Sequence, residues 1–177
     1  METIDTLEVI GLIEWNAPRR AEPCETRSVH VSARADYAVR ATIELARATQ
    51  GPTTADQIAA AQAIPRKYLN AILLDLKRSQ IVRSHRGANA GYSLARPAKD
   101  ISVAEVMRGV DGQIADIRGF RPEDLEYTGS AEPLQRVWIA ARAAMRSVLD
   151  EVSIAQLATD SLPAVVGRLT KPDRAWH

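Results

Sequence analysis

Residues 54–79 read TADQIAAAQAIPRKYLNAILLDLKRS, two helical patterns parted by a gap that only a turn can fill. Thr54 or Thr53 caps the first, a short helix through about Ala61, because a hydroxyl there accepts from an otherwise unpaired backbone N–H. Pro65 heads the second, at a position where a missing N–H costs nothing. That helix runs to about Ser79 and puts Leu69, Ile72, Leu73 and Leu76 on one face. Two helices joined by a turn of about three residues form a helix-turn-helix. Ile58, Ile64, Leu69 and Ile72 are apolar where such helices pack together. Ala59 is small where the backbones approach, and Ala63 holds the turn position where glycine is common. Spacing alone leaves an alternative, a helical hairpin with no DNA role.

Downstream, the period changes. Val82, Ser84 and Arg86 alternate with Ile81, Arg83 and His85; a turn from Gly87 to Gly91 follows; then Tyr92, Leu94 and Arg96 alternate with Ser93 and Ala95. This is a β-hairpin ended by Pro97. A hairpin directly after a helix-turn-helix is the wing of a winged helix. Upstream, Ser32 caps a helix over 33–49 that Gly51-Pro52 stops, with Ala35, Val39, Ile43 and Ala46 on one face. After the wing, Ser102 and Glu105 form a capping box for a helix to about Gly109 that buries Val103, Val106 and Met107. Residues 30–110 thus make one winged helix-turn-helix domain.

Residues 111–132, punctuated by Gly112, Gly119, Pro122 and Gly129, read as a loop. Beyond it Leu134, Trp138, Ala141, Met145, Val148 and Val152 form an a/d heptad seam, widened by Val137, Ala144 and Leu149. Such a stripe must be buried, on its own domain or on a copy of itself. Leu157, Leu162, Val165 and Val166 continue in one or two short helices broken by Pro163, so residues 133–170 form a second helical unit. The fold class expected is mainly α with a small β-hairpin. Residues 1–29 lack periodicity after a short apolar run from Leu7 to Ile13 and read as a disordered arm. The working chain is expected to begin near Val29.

The whole chain of 177 residues has a net charge of +1, which names no partner. That value is a cancellation. Residues 1–30 carry −3, residues 31–99 carry eleven Lys/Arg against four Asp/Glu for +7, and residues 100–177 carry −3. The basic segment coincides with the helix-turn-helix and wing, the electrostatic footprint expected for a polyanion. A single cysteine, Cys24, cannot form an internal disulfide. No run of about 18 apolar residues exists, so no membrane helix is expected. Glu2, Asp5 and Glu8 stand where a signal peptide needs positive charge, so a cytoplasmic location is expected. No Gly-rich phosphate loop and no Ser/His or Cys/His pairing suggests an enzyme.

Ser32 to Ala41, Ile58-Ala59 and Ile64 to Leu69 together resemble the opening of the Rrf2 family of winged-helix regulators, the IscR, NsrR and CymR type. Val82 to Gly87, Gly91 to Pro97 and Ile101 to Val103 resemble its wing and the entry to its next helix. The resemblance spans about residues 30–160. It implies a homodimer on a palindromic operator, with the long helix pairing across the dimer axis through Leu134, Val137, Trp138, Ala141, Met145, Val148 and Val152. It implies that the start of the second helix, Arg66, Lys67, Tyr68 and Asn70, lies in the major groove, and that Arg86 of the wing reaches the minor groove. Ser32, Arg34, Tyr37, Arg40, Arg83 and His85 complete the DNA-contacting set, with Arg96 a further phosphate candidate.

One departure is chemical. Iron–sulfur members of the family carry three cysteines in the segment matching residues 111–132, and this chain has neither Cys nor His there. Thiolates are the usual ligands of such clusters. A regulator without a cofactor is therefore expected, a repressor controlled by a small-molecule or protein effector. The alternatives are a redox or cluster sensor with atypical ligands, Cys24 among them, and a winged-helix protein-interaction module.

Overall fold

The computed structural model describes residues 31–117 and 119–171. The arm expected over residues 1–29, the start near Val29 and Cys24 lie outside the described residues. The helices are α1 (Ala33–Arg47), α2 (Ala55–Gln62), α3 (Arg66–Arg78), α4 (Val103–Asp111), α5 (Leu134–Glu151), α6 (Ile154–Ala158) and α7 (Ala164–Leu169). Strands β1 (Val82–His85) and β2 (Gly91–Leu94) pair antiparallel, with Val82 opposite Leu94 and His85 opposite Gly91.

Helix starts follow the capping chemistry. The Ser32, Thr54, Ser102 and Ser153 hydroxyls each accept from a backbone N–H in the first turn of their helix, and the last three form complete capping boxes. Thr54, not Thr53, is the cap of α2. Ala63 ends α2 in the left-handed region at φ +50°, a conformation glycine adopts without steric cost and alanine does not. The turn into α3 is built on that residue.

The core is one aliphatic cluster. Ile58, Leu69, Leu73, Leu76, Ile101, Val106 and Ile154 are all buried in it. The buried face of α1 differs from the expected one. Ala35, Ala38, Ala41, Thr42 and Leu45 are inside, whereas Val39 and Ile43 are only half-buried. Small residues on the inner face let α4 and α6 pack closely on α1. Buried Thr42 turns its hydroxyl back to the Val39 carbonyl at 2.8 Å, which satisfies it locally.

The wing also differs from strict alternation. Ile81 and Val82 are both buried, because Ile81 tucks under α4 before β1 begins. The wing is fastened to the helix-turn-helix by a short third strand-like contact. Thr53 and Tyr92 exchange backbone hydrogen bonds at 2.9 and 2.8 Å. A Cβ on Gly91 would meet the Thr53 carbonyl oxygen at 2.8 Å, so only glycine permits that approach.

Residues 111–132 are not a bare loop. They contain single 3-10 turns at Pro122–Asp124 and Gly129–Ala131, and they bury Ile114, Pro122 and Leu125. The heptad seam of α5 splits along its length. Val152 is in the chain's own core, and Met145 and Leu149 pack against that core. Val148 and Trp138 are half-buried, while Ala141, Leu134 and Val137 are exposed. The C-terminal end of α5 is tied down by backbone bonds from Val103 N–H to the Val152 carbonyl and from Ile154 N–H to the Ile101 carbonyl, both 2.9 Å. Val152 is thus a core residue of its own chain, which removes it from the expected pairing surface.

Candidate nucleic-acid interface

Helix α3 buries Leu69, Ile72, Leu73 and Leu76. At 3.6 residues per turn the opposite ridge carries Lys67, Asn70, Ala71 and Leu74, and all four are exposed. The ridge is flanked by two clefts. One lies against α1 and is lined by Arg34, Tyr37, Tyr68, Ala71 and Ile72. The other lies against the wing and is lined by Asp56, Arg66, Asn70, His85 and Tyr92, among others. Seven of the expected site residues are thereby gathered around one helix: Arg34, Tyr37, Arg66, Lys67, Tyr68, Asn70 and His85.

The charged members differ in what already holds them. Lys67 and Arg86 are exposed and make no ion pair among the described residues. Arg66 pairs with Asp56 at 2.7 Å, but both side chains are open to water. An exposed pair of this kind is worth at most about 1 kcal/mol, so an incoming phosphate or base can compete for the guanidinium. Arg34 pairs with Asp75, which also takes Arg78 at 3.2 Å. Arg83 donates to the Ser93 hydroxyl at 3.0 Å, and the His85 Nε2 sits 2.8 Å from the same oxygen. Ser93 therefore sets both wing side chains, a role the sequence did not suggest.

Three expected residues have structural work of their own. The Ser32 hydroxyl caps α1 and donates to Asp111. Arg40 lies over the Tyr37 ring, 5.5 Å from its centre, and donates to the Gln62 backbone carbonyl and side chain. It clamps α1 onto the end of α2. Arg96 donates to the Asp100 carbonyl at 3.1 Å and to Glu105 at 2.9 Å, fixing the exit of the wing on α4. Burial opposes the Glu105 charge, but the Ser102 backbone N–H, Arg96 and Arg108 outweigh it and hold the carboxyl below its ordinary value.

Leu74 was missed by sequence reasoning. It is 48% exposed at the middle of the α3 ridge, where an apolar side chain can meet a thymine methyl. The signal was available: a large aliphatic residue opposite the core face of α3.

The described residues do not fit an iron centre. Among the described residues no group of three or more His, Cys, Asp or Glu side chains comes together. Two carboxylates of residues 111–132 are engaged elsewhere: Asp116 accepts from the Gly119 N–H at 2.9 Å and Glu123 from Arg142 at 2.5 Å. Among the described residues no helix is long and apolar enough to cross a membrane.

Comparison with known proteins shows what the chain is similar to. Residues 31–160 match the Rrf2 family model, described as an iron-dependent transcriptional regulator. An HTH-type transcriptional regulator of Mycobacterium tuberculosis is 46% identical over 148 residues, which is 83% of this chain and 92% of that one. The HTH-type regulator CymR of Bacillus subtilis is 30% identical over 131 residues, 73% of this chain and 89% of its own. The solved structure of CymR, titled the global cysteine regulator of B. subtilis, has a TM-score of 0.63 and covers 74% of this chain and 97% of that one. The IscR structure from T. potens has a TM-score of 0.62 at 29% identity, covering 76% and 90%.

Proposed function

Because the chain belongs to the Rrf2 family of transcriptional regulators, we propose that it acts as a homodimeric repressor on a palindromic operator, without an iron–sulfur cluster. The observation that carries this reading is the α3 ridge: Lys67, Asn70 and Leu74 exposed between two clefts, with Arg86 exposed on the wing beside it. Counterion release by Lys67, Arg86 and Arg34 supplies affinity that is independent of sequence. Arg66 donating in pairs to guanine, Asn70 bonding adenine and Leu74 against thymine supply the discrimination. Arg86 in a narrow minor groove favours A·T-rich flanks.

The dimer follows from the open end of α5. Leu134 and Val137 are 37% and 56% exposed, with Ala141 beside them on a stripe that its own domain does not cover. A second copy covers it and sets two recognition helices about one DNA turn apart. Control by an effector at residues 111–132 and α5 is consistent with the absence of thiolates there. Selection of bound sequences from a random pool tests the readout. Arg66→Ala and Asn70→Ala should each relax preference at one position per half-site and cost about 1–3 kcal/mol there. Unchanged preference in both variants overturns their assignment as base readers.

A further inference from the structure

Four arginines converge on a third pocket that the DNA-binding reading leaves unused. It has a volume of about 240 Å³ and lies between the end of α4, the segment after it and α5, lined by Arg108, Arg121, Arg142 and Arg146 with Gln113 and Ile114. Two carboxylates face these cations. Asp150 takes Arg108 at 3.0 Å and Arg146 at 3.3 Å, and Glu123 takes one Nη of Arg142 at 2.5 Å. Arg121 has no ion pair among the described residues. The pocket therefore holds two positive charges in excess.

Its donors are also under-used. Arg142 is largely buried, and its Nε–H has no acceptor among the described residues. One turn earlier on α5, outside the lining of the pocket, the Trp138 indole N–H is likewise buried without an acceptor among the described residues. Buried donors are nearly always paired, so orphans mark a place for an acceptor. A guanidinium binds oxyanions in a fixed two-pronged geometry. The volume is below that of drug-sized sites and suits a molecule of a few carbons or a phosphate group.

We propose that this pocket binds a small dianion presenting oxyanion oxygens, a dicarboxylate or a phosphate monoester, and that binding resets α5 on the DNA-binding domain. The coupling runs through contacts already described. An anion at Arg108 and Arg146 competes for the arginines that Asp150 now joins, and the Arg108–Asp150 pair links α4 to α5. Helix α4 in turn packs on α1 and α3. The regulatory half rests on the reading of the chain as a DNA-binding dimer; the binding half does not.

Calorimetric titration of the full chain with inorganic phosphate, succinate and acetate, at ionic strength matched with chloride, tests the binding half. Saturable binding of one dianion per chain is expected, at least tenfold tighter than acetate. Tighter phosphate binding assigns a phosphate monoester, and tighter succinate binding a dicarboxylate. Arg121→Gln and Arg142→Gln should each weaken it about tenfold; exposed Arg121 can change without harm to the fold, as unchanged thermal unfolding will verify. No saturable binding by either dianion, or binding unaltered in Arg121→Gln, overturns the site. Gel shifts with and without the tighter dianion test the second half. A change in DNA affinity that Arg121→Gln abolishes supports the coupling, and an unchanged affinity overturns it. Dianion binding in a protein that retains no DNA affinity overturns the DNA-binding reading and leaves the site standing.

Discussion

Replacing Arg86 by alanine separates DNA contact from folding. Arg86 is exposed at the end of β1, and among the described residues it makes no ion pair. Truncation leaves no buried group unpaired, so stability should move by no more than about 0.5 kcal/mol. Each phosphate charge neutralised contributes about −0.9 to the slope of log affinity against log salt. A dimer loses two such charges, so the slope should flatten by about 1.8. Between about 50 and about 200 mM salt, a fourfold range, the wild-type affinity should fall about 12-fold further than that of the variant. The deficit of the variant is therefore largest at low salt. Fluorescence anisotropy on a labelled operator across four salt concentrations measures this directly. Parallel lines of equal affinity would show that the wing does not touch DNA, and a lowered melting temperature would show that Arg86 serves the fold instead.

Three further changes probe other joints. Val137→Glu puts a charge on the open stripe of α5, away from the core, so sedimentation should find monomers with a retained helical spectrum; a dimer that persists removes α5 as the interface. Gly91→Ala must force apart the Thr53–Tyr92 contact, where a Cβ would sit 2.8 Å from a backbone oxygen, and should cost about 1–3 kcal/mol in urea unfolding; a neutral result would show that the wing can shift freely. The Glu105 carboxyl is held below its ordinary value of 4.5, so its contribution to stability is complete above that pH and is lost as pH falls through the lowered native value. Glu105→Gln keeps the cap acceptor but not the charge, and its stability should fall less steeply with acid than that of the wild type; identical acid limbs would contradict the Arg96–Glu105–Arg108 arrangement.

What could be read from sequence was local. Caps at Ser32, Thr54 and Ser102 signal themselves within four residues, and the apolar spacing of α3 returns its buried face without error. Ala35 was placed correctly, but the rest of the α1 face was misread because large apolar residues attract attention, whereas Ala38 and Ala41 are buried by the close approach of α4 and α6. No local signal in α1 encodes that approach. The same holds for Arg40 and Arg96. A lone arginine in a basic segment reads as a phosphate contact, and only the fold shows Gln62 and Glu105 within reach. The seam of α5 was legible as apolar but not in its division, since Val152 enters the core through backbone pairing with Val103 and packing that lie about 50 residues apart in sequence.

The most direct measurement is a nuclease footprint of the purified protein on the DNA upstream of its own gene, in the presence of excess competitor. Two protected half-sites related by two-fold symmetry are expected, about one helical turn apart, with A·T-rich sequence where the wings fall. No protection beyond that of the competitor, or a single asymmetric patch, would contradict that expectation.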